Sequence, residues 1–305
     1  MQLQWTVTKN DPELLKHFLK AHKISKRLLA RIKFNGGKIY VNHVEQTVRY
    51  TLQVGDIVTV VFPQEHAQDN VYVSNMPIDI IYEDDYVLVV NKPAGITSIP
   101  SYAHPNYSMA NRVKGYYVRQ AYKNQVIHVV TRLDKHTSGV MVFAKHQFIH
   151  ALLDEQLRQG DVDKRYAALS EKAIQGEEHG VINAPIERAP DSLMLRQVSK
   201  TNQGKIAITE YWKQEEFKNG VLYYIKLHTG RTHQIRVHFK YKQATLLGDD
   251  LYGGAMDKGL DRQALHCYQL SFYHPITQDY MHFNAKFPED MENWLIKERI
   301  KKWTK

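Results

Sequence analysis

The sequence predicts an α+β protein in two unequal units: a small basic front module, and a larger domain built on a mixed or antiparallel sheet. Three observations carry that expectation. Runs rich in β-branched and aromatic residues, such as "YVLVV", "GVMVFAKH", "AITEYWKQEEF" and "VLYYIKLHTG", recur from residue 86 onward, separated by irregular stretches rather than regular helical crossovers. Positive charge gathers at the front, where residues 11–50 hold nine Lys/Arg against three acids, six of the chain's nine net positive charges. Finally, 305 residues suffice for one large core and one small one.

The front module is read first. Leu14, Leu15, Phe18 and Leu19 repeat at helical spacing. Ser25 has the chemistry of an N-cap for a second helix that turns Leu28, Leu29 and Ile32 inward. Lys26, Arg27, Arg31 and Lys33 are left on the other side, with Lys38 just beyond the "NGG" turn. "KIYVN" and "VGDIVTVVF" then alternate as strands. Residues 1–64 are therefore expected to fold as one unit. A polar stretch over 65–75 is expected to be a linker that lets the module move, with the main domain covering 76–305.

In the main domain, "YVLVV" is a strand ended by Pro93 and Gly95, and Asp84 and Asp85 before it fit turn chemistry better than metal binding. A helix is expected near 108–120, another at "LLDEQLR", and a strand at the start of "KRYAALSEKA". "RTHQIRVHFKYK" is helix or strand by period alone. Asp134 sits in "TRLDKHTSG", on a loop that enters a strand, where Thr137, Ser138 and Gly139 supply turn hydrogen bonds. Functional acids are often held on such loops by rigid strands.

Composition narrows the function classes. The net charge of +9, from 41 Lys/Arg against 32 Asp/Glu, favours a polyanionic partner, either nucleic acid or an anionic membrane. No apolar run approaches the ~18–20 residues of a membrane span, and "MQLQWTVTKN" lacks a signal peptide's layout, so a cytoplasmic protein is expected. A single cysteine, Cys267, excludes an intramolecular disulfide and a multi-Cys zinc site. His228, His233 and His238 recur every five residues, which does not place three ligands on one helix face, so no metal site is read there.

Two resemblances join these pieces. Residues 12–62, with their basic helix, "NGGKIYVN" turn and "GDIV" strand, resemble the alpha-L RNA-binding motif. That resemblance assigns Lys26, Arg27, Arg31, Lys33 and Lys38 to RNA binding. "RLDKHTSG", "KRYAAL" and "HTGRTHQIRVH...LLGDDLYG...ALHCYQLSFYHP" follow in the order and spacing of the signature segments of RluA-type RNA pseudouridine synthases. Together the two resemblances cover nearly all of the chain. They imply a pseudouridine synthase fold with a mixed, mainly antiparallel central sheet, plus a small α/β RNA-binding domain.

The reaction implied is isomerisation of uridine in structured RNA: the ribose carbon leaves the base nitrogen, the base turns over, and a carbon–carbon bond forms. No atoms enter or leave, so no cofactor or metal is needed, and one carboxylate suffices where a glycosidase needs two. The resemblance makes Asp134 that nucleophile or base. It implies that Arg236 pairs with Asp134 and lowers its pKa by ~1–3 units. Tyr166 stacks on the target base, worth ~1–3 kcal/mol, and Leu265 closes the other side of the pocket. Arg231 lies in the substrate-binding signature. Arg132 either fills the space left by the flipped-out uridine or clamps a phosphate or carboxylate. "LLGDDLYGG" is read as a structural turn whose Asp249 fits turn chemistry better than catalysis. The family's usual His before Arg132 is replaced by Thr131, and 101–115 matches only loosely.

The expected partner is therefore RNA, ribosomal RNA before transfer RNA, acted on by a monomer. A non-catalytic RNA-binding protein on the same fold is the alternative. A glycoside-type hydrolase would require a second carboxylate roughly 5–10 Å from Asp134, with Asp249 and Asp250 as the candidates.

Overall fold

The computed structural model describes residues 1–66, 71–102, 104–176, 178–201 and 203–303. Its first element is a strand that the sequence reading passed over, β1 (Gln2–Thr6), whose alternation buries Leu3 and carries on to buried Val7. Helix α1 (Leu15–Ala21) buries Leu15, Phe18 and Leu19. Helix α2 (Lys26–Phe34) starts at Ser25, whose side chain accepts from the Leu28 N–H, and it buries Ile32 while Leu28 and Leu29 pack against the same core. Strands β2 (Lys38–Val41), β3 (Val44–Glu45) and β4 (Ile57–Val61) complete an antiparallel sheet in the order β1-β4-β2-β3.

The main domain follows with β5 (Asp79–Glu83), β6 (Val87–Lys92), α3 (Met109–Arg119), β7 (His128–Val129), β8 (Ser138–Ala144) and α4 (Gln147–Gln159). Next come β9 (Asp163–Ser170), β10 (His179–Asn183), β11 (Ile186–Arg188), β12 (Arg196–Val198), β13 (Ile208–Phe217) and β14 (Gly220–Leu227). Helix α5 (Gln234–Tyr241), β15 (Leu265–Tyr273), β16 (Tyr280–Asn284) and α6 (Glu289–Trp303) finish the chain. The central sheet runs β10-β13-β14-β9-β15-β8-β6-β5, with β7 beside β8 and β16 beside β15. Every pairing is antiparallel except β15 with β8. The mixed, mainly antiparallel sheet expected from the sequence is present, beside a small N-terminal sheet domain.

That one parallel pairing depends on a glycine. Gly139 sits at φ 121, and a Cβ there would lie 2.1 Å from the Cys267 carbonyl oxygen. Only glycine lets β8 approach β15, so the loop that carries Asp134 is placed by this contact. Asp84 behaves as turn chemistry requires: its Oδ1 accepts from Tyr86 and Val87 N–H, both at 2.7 Å.

The segment expected to be a free linker is tied down at its start. Glu65 is buried, 8% exposed, and accepts from the Gln147 N–H at 2.8 Å. His128 Nε2 lies 2.6 Å and His146 Nε2 3.2 Å from its carboxylate. Burial by itself would raise the Glu65 pKa, but the His128 hydrogen bond and the His146 charge outweigh it and hold the group at about 2. Residues 67–70 lie outside the described residues. The front module also shares a hydrophobic core with the main sheet, with Phe62 and Phe148 ring centroids 5.1 Å apart and Lys23 paired to Glu155 at 2.8 Å.

Candidate active site

A cleft of about 740 Å³ opens on the main sheet, and Asp134, Arg132, Tyr166, Arg231, Arg236 and Leu265 all line it. Residues from four separate stretches of sequence thus meet at one place. The Asp134 loop is held on both sides. Ser98 Oγ accepts from the Leu133 N–H at 2.9 Å and donates to the Leu133 carbonyl at 2.7 Å. Lys92, fully buried, donates to the carbonyls of Pro93, Ile96 and Lys135 at 2.9, 2.7 and 3.1 Å. Sequence reading missed both residues, although "NKPAGITS" places a lysine and a serine around a Pro-Gly turn. Thr131, standing where the family has His, is buried and its hydroxyl accepts from the Val142 N–H at 3.1 Å. It closes the β7–β8 ladder, a structural use of the position.

Tyr166 and Leu265 owe their places to strand register. Tyr166 on β9 faces Ile225 of β14 and Cys267 of β15, while Leu265 faces Ala168. Paired residues share a side of the sheet, so the ring and the leucine present to the same cleft. Arg132 is exposed and has no ion-pair partner among the described residues. Arg231 donates its Nε to the Ile206 carbonyl at 2.8 Å, which lays the guanidinium along the rim.

The segment that was helix or strand by period is α5, and the reason for the ambiguity is visible. Six consecutive residues, Gln234 to Phe239, are buried, so no polar face marks a period. Its polar members are satisfied inward: Gln234 on Thr209 and the Ile208 carbonyl, His238 between Thr209 and the Ala184 carbonyl. The three histidines of this region go to three different partners, His228 to Glu210, His233 to the Tyr252 hydroxyl, and His238 as above. Among the described residues no group of three His, Cys, Asp or Glu is arranged to hold a metal.

Arg236 does reach Asp134, as expected, and it also has a second acid that the sequence reading gave only a turn role. Its main partner is Asp249, through Nε–Oδ2 at 2.8 Å and Nη2–Oδ1 at 2.7 Å, a bidentate pair. The contact with Asp134 is a single long one, Nη1–Oδ2 at 3.5 Å. Asp249, read from sequence as turn chemistry, does end turns through its backbone, but its carboxylate is fully buried and serves to clamp Arg236. Burial opposes the guanidinium charge, yet the bonds and charge of Asp249 win and raise its pKa further. The Tyr252 ring adds a face, 4.9 Å from the guanidinium carbon. Gly248 makes the turn possible: at φ 69, a Cβ there would sit 2.1 Å from the Arg262 carbonyl oxygen. The result is an Asp249–Arg236–Asp134 relay in which one cation is fixed by the first acid and offered to the second.

Both oxygens of Asp249 are taken and buried, so it cannot activate a water, and the exposed Asp250 carboxylate accepts from its neighbour Leu251 N–H. The second carboxylate that a hydrolase would need is absent from this pair of candidates.

On the front module, Lys26, Arg27 and Lys33 are exposed, with Lys33 over the exposed ring of Phe34 at 5.0 Å. The other two predicted RNA contacts have protein partners: Lys38 pairs with Glu45 at 2.7 Å, and Arg31 donates to Gln147 of α4.

Residues 86–241 match the RNA pseudouridylate synthase family. The chain is 44% identical to an uncharacterized RNA pseudouridine synthase of Bacillus subtilis, YjbO, over 90% of this chain and 95% of that one. It is 34% identical to the ribosomal large subunit pseudouridine synthase D of Xanthomonas campestris, over 81% and 77% of the two chains. Among solved structures, human RNA Pseudouridylate Synthase Domain Containing 4 aligns with a TM-score of 0.60 at 23% identity, covering 72% of this chain and 93% of that one, a likeness of fold. This chain belongs to the RNA pseudouridine synthase family and is an isomerase of RNA uridine.

Proposed function

We propose that this enzyme isomerises specific uridines of large-subunit ribosomal RNA, with Asp134 as its single working carboxylate. One observation carries the site assignment. Of the two carboxylates lining the cleft, Asp154 is paired with Arg158 at 3.3 Å, whereas Asp134 meets the cleft volume with only long contacts, Arg236 Nη1 at 3.5 Å and His233 Nε2 at 3.9 Å from its Oδ2. A carboxylate so held is oriented but not consumed by its partner, which suits attack on a ribose carbon or removal of a proton next to it. Tyr166 supplies the face on which the extruded base stacks, Leu265 the opposite wall, and Arg132 the exposed arm that reaches toward the vacated stack.

Ribosomal RNA is favoured because relatives named as ribosomal large subunit synthases match across most of this chain. Lys26, Arg27 and Lys33 would hold the RNA backbone while the cleft takes the uridine. A monomer in the cytoplasm is the expected working form.

The test is a pseudouridine map of total RNA from cells with and without the gene. A large-subunit site that disappears and returns on complementation supports the reading. If ribosomal sites persist and a transfer RNA site is lost instead, the substrate assignment fails.

A further inference from the structure

Lys164 lies two residues before Tyr166 on β9, so its side chain leaves the same face of the sheet and lines the same cleft. Its neighbours explain why it is available. Asp163, adjacent in sequence, points to the opposite face and pairs with Arg165 at 3.0 Å and Lys226 at 3.9 Å. Within the cleft, Asp154 is taken by Arg158 and Asp134 is faced by Arg236. Lys164 itself has no hydrogen-bond or ion-pair partner among the described residues. Beside it, burial pushes the Cys267 thiol up to about 12, so that group is a neutral neighbour at physiological pH and no counter-charge.

The ammonium rests against the turn that carries Arg231. A Cβ built on Gly230 would come within 3.4 Å of Lys164 Nζ and meet nothing else within 4 Å. The Lys164 ammonium thus lies within van der Waals reach of this turn, with no other group crowding it there. Burial among the cleft walls also lowers the Lys164 pKa, as expected of a cation lacking a partner. Compare Lys92 beneath the Asp134 loop, whose ammonium is capped by three carbonyls. A partly buried cation is costly when left unpaired, and in a cleft that receives RNA the missing partner has an obvious chemistry.

We propose that Lys164 binds a phosphate of the RNA strand immediately flanking the uridine held over Tyr166, and so sets the position of the ribose against Asp134. This rests on the reading above that the cleft takes an extruded uridine of RNA. Arg231, on the adjoining turn, brackets the same phosphate path.

The experiment uses full-length enzyme and a short stem-loop RNA centred on the uridine that mapping identifies. Lys164→Met should raise KM about tenfold with a smaller change in kcat, and make the salt dependence of binding shallower by roughly 0.7–0.9 in log-log slope, one phosphate contact. Lys164→Arg should recover most of the loss. Replacing the flanking phosphates one at a time with neutral methylphosphonate should, at one position, weaken the wild type by the same factor while costing Lys164→Met nothing further. The proposal is overturned if Lys164→Met keeps the wild-type KM and slope, or if the neutral linkage penalises both proteins equally. Should the methionine variant fail to fold, the wild type alone decides: insensitivity to neutralising either flanking phosphate rejects the assignment. A wild-type enzyme that leaves the mapped RNA unmodified would instead reject the substrate reading on which the proposal stands.

Discussion

Around Asp134, charges are paired and aimed: buried Asp249 grips Arg236 through two bonds, and Arg236 reaches Asp134 with a third. On the front module, Lys26, Arg27 and Lys33 stand in solvent with no carboxylate holding them among the described residues. The contrast separates two kinds of work. Chemistry on one ribose carbon needs a charge at a fixed point in a dry site, where removing either partner strands the other. Gripping a backbone needs several mobile cations whose effect is summed over phosphates and weakened by salt. Between the two regions, Glu65 and α4 act as the joint, since α4 meets the module through Gln147, Phe148 and Glu155 and the cleft through Asp154 and Arg158.

Asp134→Asn should show the largest effect. Turnover should fall by at least about 10³-fold while RNA affinity stays within a few-fold, read by single-turnover assay and filter binding. Appreciable turnover in this variant would remove Asp134 from its role. Asp249→Asn comes next: it leaves a buried guanidinium half-paired, so denaturant melts should show a loss of about 3–5 kcal/mol, with turnover reduced alongside. A stable variant with full turnover would mean that the bidentate pair does not hold the site together.

The joint responds to acid with a definite sign. The Glu65 pKa is about 2 in the fold and 4.5 as an ordinary carboxyl, so its stabilisation is present above about 4.5 and is lost as pH falls toward 2. His146, held near 4 chiefly by burial, works in the same direction, because the unfolded chain takes up its proton from pH 6.5 downward and the folded chain resists until about 4. Glu65→Gln should therefore cost about 1–3 kcal/mol at pH 7 and flatten the loss of stability below pH 4.5. Thermal melts across pH 3–7 would show it, and a variant with the parent's acid profile would discount the joint.

The smallest effect on chemistry is expected from the module. Changing Lys26, Arg27 and Lys33 together to Gln should leave kcat untouched and reduce the salt slope of RNA binding by roughly 2–3. An unchanged slope would move RNA binding off this helix face.

Local chemistry was enough to locate α2, since Ser25 is a cap and Leu28, Leu29 and Ile32 form a stripe. It was enough for β6, β8, β13 and β14 as well, where β-branched and aromatic runs end at turn residues. It left α5 open because a helix buried on every side has no period to read, and it left the clamp made by Asp249 unseen because nothing in "LLGDDLYGG" tells which of two adjacent acids turns inward. The protein partners of Arg31 and Glu65 were hidden for a related reason: a polar residue in a basic helix or a polar stretch looks solvated until another element covers it.

By itself, then, the sequence determined the two-unit plan, the strand and helix types wherever one side of an element faces water, and the set of residues around Asp134, Tyr166, Arg236 and Leu265. The tertiary structure alone decided how charges are shared among them. Partner choice depends on which side chains are buried within about 3 Å of one another, and residues 13 or 102 positions apart, as Asp249 and Asp134 are from Arg236, acquire that proximity only when the sheet closes over α5.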